Sequence, residues 1–173
     1  MSLLNISVAI ILCVVACAFL RGHAGVSRKR HSRYRKKADK IHERLHSSDM
    51  NMGQVLAYLR KIDPYVFEEL VLNAFEEHGF SVKRNRRYSG DGGIDGRVFL
   101  KGKEYLLQCK RYKSYINPKH VRQFCLLCEE RDINGYFIHT GKTGGMSRDE
   151  SRFCDKVTIL SGKQLVDFLT FMR

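Results

Sequence analysis

The distribution of apolar positions changes character along this chain. Residues 3–20 carry no charge, and only Asn5 and Ser7 among them are clearly polar. As a helix the run would extend about 27 Å, close to the hydrocarbon thickness of a bilayer, so it predicts one transmembrane helix. An uncleaved anchor is favoured over a secretory signal, because no basic residue precedes the run and Arg21 and His23 fall where a peptidase would cut.

Further on, the pattern becomes that of a folded domain. Met52 to Ile62 predicts a short helix. Phe67, Leu70, Val71, Ala74 and Phe75 recur at helical spacing behind Asp63-Pro64, a capping carboxylate and a first-turn proline, and Gly79 is placed to end that helix. Phe80 to Val82 begins a strand. Extended runs over 94–100 and 104–112 flank Lys101-Gly102-Lys103, as in a hairpin. Asn117-Pro118 opens a helix to about Arg131, and 135–140 is an apolar strand followed by a glycine-rich loop. Ser147 with Glu150 has capping-box spacing for a short helix, 157–160 reads as a strand, and Ser161 with Gln164 suggests the cap of a last helix. This order predicts an α/β fold, a mixed β-sheet flanked by helices. The expected organisation is a transmembrane helix at 3–20, a basic juxtamembrane linker at 21–57 and a folded domain at 58–173.

Charge sharpens this picture. The 173 residues suffice for one ordinary core, and their formal net charge of +13 favours a polyanionic partner. Residues 21–44 hold ten Lys/Arg against Asp39 and Glu43, which accounts for +8 of the +13. Positive charge directly after a span is retained on the cytoplasmic side, so the expectation is a single-pass protein of the inner (cytoplasmic) membrane with its folded domain in the cytoplasm. The stretch 26–46 would form a helical stalk that clamps onto anionic headgroups, binds DNA, or does both. The six cysteines lack framework spacing and read as reduced thiols. Cys125 and Cys128 form a lone CxxC, better read as a half-buried helical pair than as a zinc site.

Candidate chemistry concentrates in RYSGDGGIDGRVFLKGKEYLLQCKRY. Gln108 and Lys110 share one face of their strand while Cys109 takes the other, and Asp95 lies on the preceding strand of the hairpin. A carboxylate, an amide oxygen and an ammonium can thus meet at one patch. Metal-assisted phosphodiester hydrolysis needs such a set: a divalent ion acidifies water and polarises a phosphoryl oxygen, while a nearby cation stabilises charge in the transition state. Gly90, Gly92, Gly93 and Gly96 would leave room for a phosphate. Asp91 is either a turn former or a second acid.

At this point the chain resembles the Mrr-like restriction endonucleases of the PD-(D/E)xK nuclease superfamily. The resemblance rests on Phe67-Glu68, Gly79-Phe80 with Val82, Gly90-Asp91-Gly92-Gly93-Ile94-Asp95-Gly96 and Gln108-Cys109-Lys110-Arg111-Tyr112, in that order, and covers about residues 58–170. It implies a restriction-endonuclease-like fold, DNA as substrate, Mg²⁺ dependence with Mn²⁺ as a substitute, and a catalytic set of Asp95, Gln108, Lys110 and Glu68. Asp95, Gln108 and Glu68 would bind the metal. Helical geometry places Glu68 beside the apolar stripe and Glu69 nearly opposite Phe67, which favours Glu68. Arg87, Arg111, Lys113 and Lys142 are the cations expected to contact DNA. The chain departs from the family after Thr140, where Gly141 to Glu150 replaces the usual helix with small residues. The expected activity is a membrane-anchored DNA endonuclease, with a homodimer plausible for duplex cutting; the alternative is a module that tethers DNA at the membrane without cutting it.

Overall fold

The computed structural model describes residues 29–85, 93–147 and 154–170. The chain divides into two compact units, Met1–Arg33 and Tyr34–Arg173. In the first, the described residues 29–33 are helical. The predicted span at 3–20 lies outside the described residues, and among those described no helix is long and apolar enough to cross a membrane. The expectation of an inner-membrane location is corrected on that finding.

The second unit begins with helix α1 (residues 34–47), followed by α2 (Met52–Leu59) and α3 (Pro64–Glu77). Local chemistry fixes the helix starts. Asn51 and Gln54 form a reciprocal capping box on α2, and Asp63 accepts from the Tyr65 N–H at 2.9 Å ahead of Pro64 on α3. Every residue of α3 from Val66 to Phe75 is buried. The helix is covered on more than one side, which an amphipathic stripe alone would not require.

Five strands come next: β1 (Ser81–Arg84), β2 (Gly96–Leu100), β3 (Lys103–Lys110), β4 (Asn134–His139) and β5 (Val157–Ser161). They lie side by side in sequence order. The first three are antiparallel, whereas β3–β4 and β4–β5 are parallel, so the sheet is mixed. The β2–β3 turn is Lys101-Gly102, both at positive φ (50° and 79°) with Leu100 paired to Lys103, the geometry a tight two-residue hairpin demands. Parallel pairing needs a crossover, supplied between β3 and β4 by α4 (Pro118–Glu130). A last helix, α5 (Gly162–Leu169), directly succeeds β5; the expected Ser161 side-chain cap on it does not form.

The sheet separates two apolar layers. One joins Leu107, Cys109 and Ile138 with α3 and α5 and with Tyr34, Ala38 and Leu45 of α1. The other joins Leu106, Ile94 and Phe137 with Val121, Phe124, Cys125 and Cys128 of α4. Alternation along β3 produces this division, since Leu106 and Leu107 serve opposite layers. Residues 34–57, part of the stretch read from sequence as linker, contribute Tyr34, Ala38, Leu45 and Val55 to the first layer.

Candidate active site

Strand β3 carries two of the expected site residues and anchors a third. The Asp95 amide donates to the Leu107 carbonyl at 2.8 Å, and its Oδ2 accepts from the Cys109 N–H at 2.6 Å. The acid is therefore oriented by the backbone of the strand that bears Gln108 and Lys110. Gln108 Nε2 donates to the Gly93 carbonyl at 2.7 Å. Gly93 has φ +86°, which favours glycine, and a β-carbon there would stand 2.6 Å from Gln108 Nε2 and displace that amide from its place. With Nε2 engaged, Gln108 Oε1 is buried and has no hydrogen-bond partner among the described residues.

Glu68 enters from α3 and is 8% exposed. Burial pushes its carboxyl up to about 9, reinforced by Asp95 and then Glu69, while Lys110 opposes the rise. Burial likewise lifts Asp95 to about 6, against the Cys109 N–H and the Lys110 charge. Glu68, Asp95 and Lys110 thus share one electrostatic environment, brought together from α3, the residue just before β2, where the sequence had placed Asp95 on the strand itself, and β3. The neighbouring acid Glu69 is used otherwise: its Oε2 accepts from Arg84 Nε at 2.9 Å.

Gln108 and Lys110 also line a pocket of about 280 Å³ with Gly93, His120, Gln123, Phe124 and Leu127. Glu68 and Asp95 are not in its wall. His120 and Gln123 had no sequence signal, since only the packing of α4 across β3 puts them beside Lys110. Burial and the Lys110 charge hold His120 below the usual histidine range, and its Nδ1 is hydrogen-bonded to the Tyr112 hydroxyl. His139, paired in register with Lys110, is fully buried, and its Nε2 meets Thr143 Oγ1 at 3.1 Å.

The expected DNA-contacting cations are placed unequally. Arg111 Nη1 donates to the Arg60 carbonyl at 2.8 Å and its Nε is buried, so this side chain ties the end of β3 to the residue after α2. Lys113 is exposed. Lys142 is exposed, with its Nζ 5.9 Å from the Tyr115 ring centre. Arg87 and Asp91 lie outside the described residues.

Comparison with known proteins bears on this arrangement. No curated protein matches the chain. A crystal structure of a protein of unknown function, AF1548, is similar with a TM-score of 0.45 and 18% identity, covering 57% of this chain and 58% of that one, too little to bear on function. A family model described as a restriction endonuclease, of the Mrr catalytic type, matches residues 59–169, a span that contains the whole sheet together with Glu68, Asp95, Gln108 and Lys110. The chain therefore belongs to the Mrr-type restriction endonuclease family, and the unit built on this mixed sheet is a nuclease domain.

Proposed function

We propose that the chain is a divalent-metal-dependent DNA endonuclease in which Glu68, Asp95 and Gln108 offer oxygen donors to a Mg²⁺ ion and Lys110 is the cation beside them. One observation carries this reading. Buried Glu68 and half-buried Asp95 act on each other beside Lys110, one ammonium that cannot neutralise both, and Gln108, two residues before Lys110 on β3, holds a buried amide oxygen with no partner among the described residues. A hard cation fits that donor set, because it would restore both carboxylates to their charged forms and satisfy Gln108 Oε1.

When bound, the ion would supply acidification of water and polarisation of a phosphoryl oxygen. The chain's own groups do the rest. Asp95 is aimed beforehand by the Cys109 N–H on its Oδ2, so its other oxygen would be presented to the ion without a search through rotamers. Gln108 is fixed by Gly93 and offers a neutral oxygen, a weaker donor than a carboxylate. Lys110 holds the nucleophilic water and stabilises negative charge as it grows on the phosphate. The family match and the charge of +13 support DNA as substrate and cleavage of foreign or modified DNA as the role. Cutting both strands takes two such sites, which a homodimer would provide.

The test is cleavage of supercoiled plasmid by the full-length chain with Mg²⁺, with Mn²⁺ and with chelator. Nicking should require the ion and fall about 100- to 1,000-fold in Lys110→Ala, with DNA binding retained. Cleavage in chelator, or undiminished in Lys110→Ala, overturns the assignment. Salt-sensitive binding without cleavage under either ion would favour a module that only holds DNA.

A further inference from the structure

A second donor cluster lies away from the nuclease site. His42 and His46 stand one helical turn apart on α1, and Glu77 is the last residue of α3. Each offers one ligand atom, and these atoms all lie within 4.8 Å of one another, the one such group of His, Cys, Asp or Glu among the described residues. His42 Nε2 is 2.6 Å from His46 Nε2 and 2.9 Å from Glu77 Oε2. The two rings meet edge-on, with centroids 4.1 Å apart at 78°.

Hydrogen bonding alone satisfies this cluster poorly. A single proton on His42 Nε2 can be donated to His46 or to Glu77, and whichever is left out faces His42 without one. A cation accepts lone pairs from all three atoms at once. We propose that His42, His46 and Glu77 form a site for a borderline divalent transition ion of the zinc class, which staples α1 to the C-terminal end of α3.

The ligand chemistry selects the ion. Two imidazoles and one carboxylate suit zinc, cobalt or nickel, whereas Mg²⁺ prefers an all-oxygen shell such as that at Glu68, Asp95 and Gln108. Bonds of about 2.0–2.1 Å in tetrahedral geometry set donors roughly 3.4 Å apart. The His42–His46 contact would open by less than about 1 Å, a small rotation of either ring. Burial lowers the His42 pKa, partly offset by Glu77, which favours the neutral ligand form. Glu77 is 40% exposed, so the fourth position is open to solvent. α1 is also held by the Asn73 Nδ2 to Asp39 Oδ1 hydrogen bond of 2.7 Å, so losing one histidine need not undock the helix.

The experiment loads the chelator-stripped, full-length protein with Co²⁺ and records its electronic spectrum, then titrates Zn²⁺ in competition. One equivalent of Co²⁺ should give visible ligand-field bands without the near-ultraviolet thiolate charge-transfer band that binding at Cys125, Cys128 or Cys154 would produce. His46→Ala should weaken Zn²⁺ binding at least about 100-fold, and the milder Glu77→Gln at least about tenfold. Mg²⁺-supported cleavage should be unchanged in both. Asp95→Asn should leave the cobalt spectrum intact, which separates this site from the nuclease centre. A thiolate band, a spectrum lost in Asp95→Asn, one retained in both His46→Ala and Glu77→Gln, or no bound Co²⁺ overturns the proposal.

Discussion

Glu68 and Glu69 are consecutive, buried and on one helix, yet the fold treats them in opposite ways. Glu69, 1% exposed, sits in a closed network. Arg84 donates to Glu69 Oε2 at 2.9 Å, to Glu76 at 2.6 and 3.0 Å and to Asn73 Oδ1 at 2.7 Å, and Asn73 donates on to Asp39. All three guanidinium nitrogens are engaged, through the planar fork that arginine alone provides. Glu68 has no such cation to itself, faces Asp95 as well as Lys110, and is driven up to about 9. The first region holds the fold together by satisfying its charges. The second holds at the candidate active site carboxyls that burial keeps from ionising, which a bound cation would return to their charged forms.

Disrupting the satisfied region should have the largest effect. Arg84→Met leaves Glu69 buried without its cation, and should cost about 3–5 kcal/mol of stability in chemical denaturation. A loss under about 1 kcal/mol would mean that the network is ornamental.

The two glutamates should then answer the same substitution with opposite signs. In chelator at pH 8, Glu69→Gln should destabilise by about 2 kcal/mol, because a charge-assisted hydrogen bond is weakened. Glu68→Gln should stabilise by about 1 kcal/mol, a melting temperature higher by about 3 °C, because a carboxyl that burial keeps from ionising is removed. The pH dependence comes from the raised values. Asp95 and Glu68 move from ordinary values of 3.8 and 4.5 to about 6 and about 9 in the fold, so the stability they contribute is complete below about pH 4 and is lost as pH rises through 6 and then 9. Melting curves of the ion-free protein from pH 5 to 9 should show that decline, and Glu68→Gln should flatten it. Equal signs for the two variants would erase the contrast.

The smallest effect sharpens the comparison from outside. Arg97 and Glu104 pair at 2.8 Å across β2 and β3, but both are about a third exposed. Glu104→Gln should change stability by no more than about 1 kcal/mol, less still at high salt. A larger loss would show that pairing, and not burial, gives the Arg84 network its weight.

The helices and strands were legible because their signals are local. Asp63-Pro64 and Asn117-Pro118 start α3 and α4 where caps and first-turn prolines predict, and Lys101-Gly102 turns the hairpin. Alternation along β3 likewise put Gln108 and Lys110 on one face, beside the α4 pocket. Other features were invisible. The basic stretch 26–46 read as a linker that could form a helical stalk, yet its packing was not legible: Tyr34, Ala38 and Leu45 are buried at helical spacing in the first apolar layer. Their apolar stripe is narrow, and long basic side chains cover the rest of the helix.

What the sequence determined by itself was therefore most of the elements, the mixed character of the sheet and the short list of groups able to do hydrolytic chemistry, since these follow from spacings of a few residues and from the alternation of helices and strands. Only the tertiary structure decided which of two adjacent glutamates would be neutralised, that α4 would set His120 and Gln123 beside Lys110, and that His42 and His46 would meet Glu77. Those outcomes depend on which charges and apolar surfaces the packing of distant segments brings within a few ångströms, where burial strips away the water that would otherwise screen them.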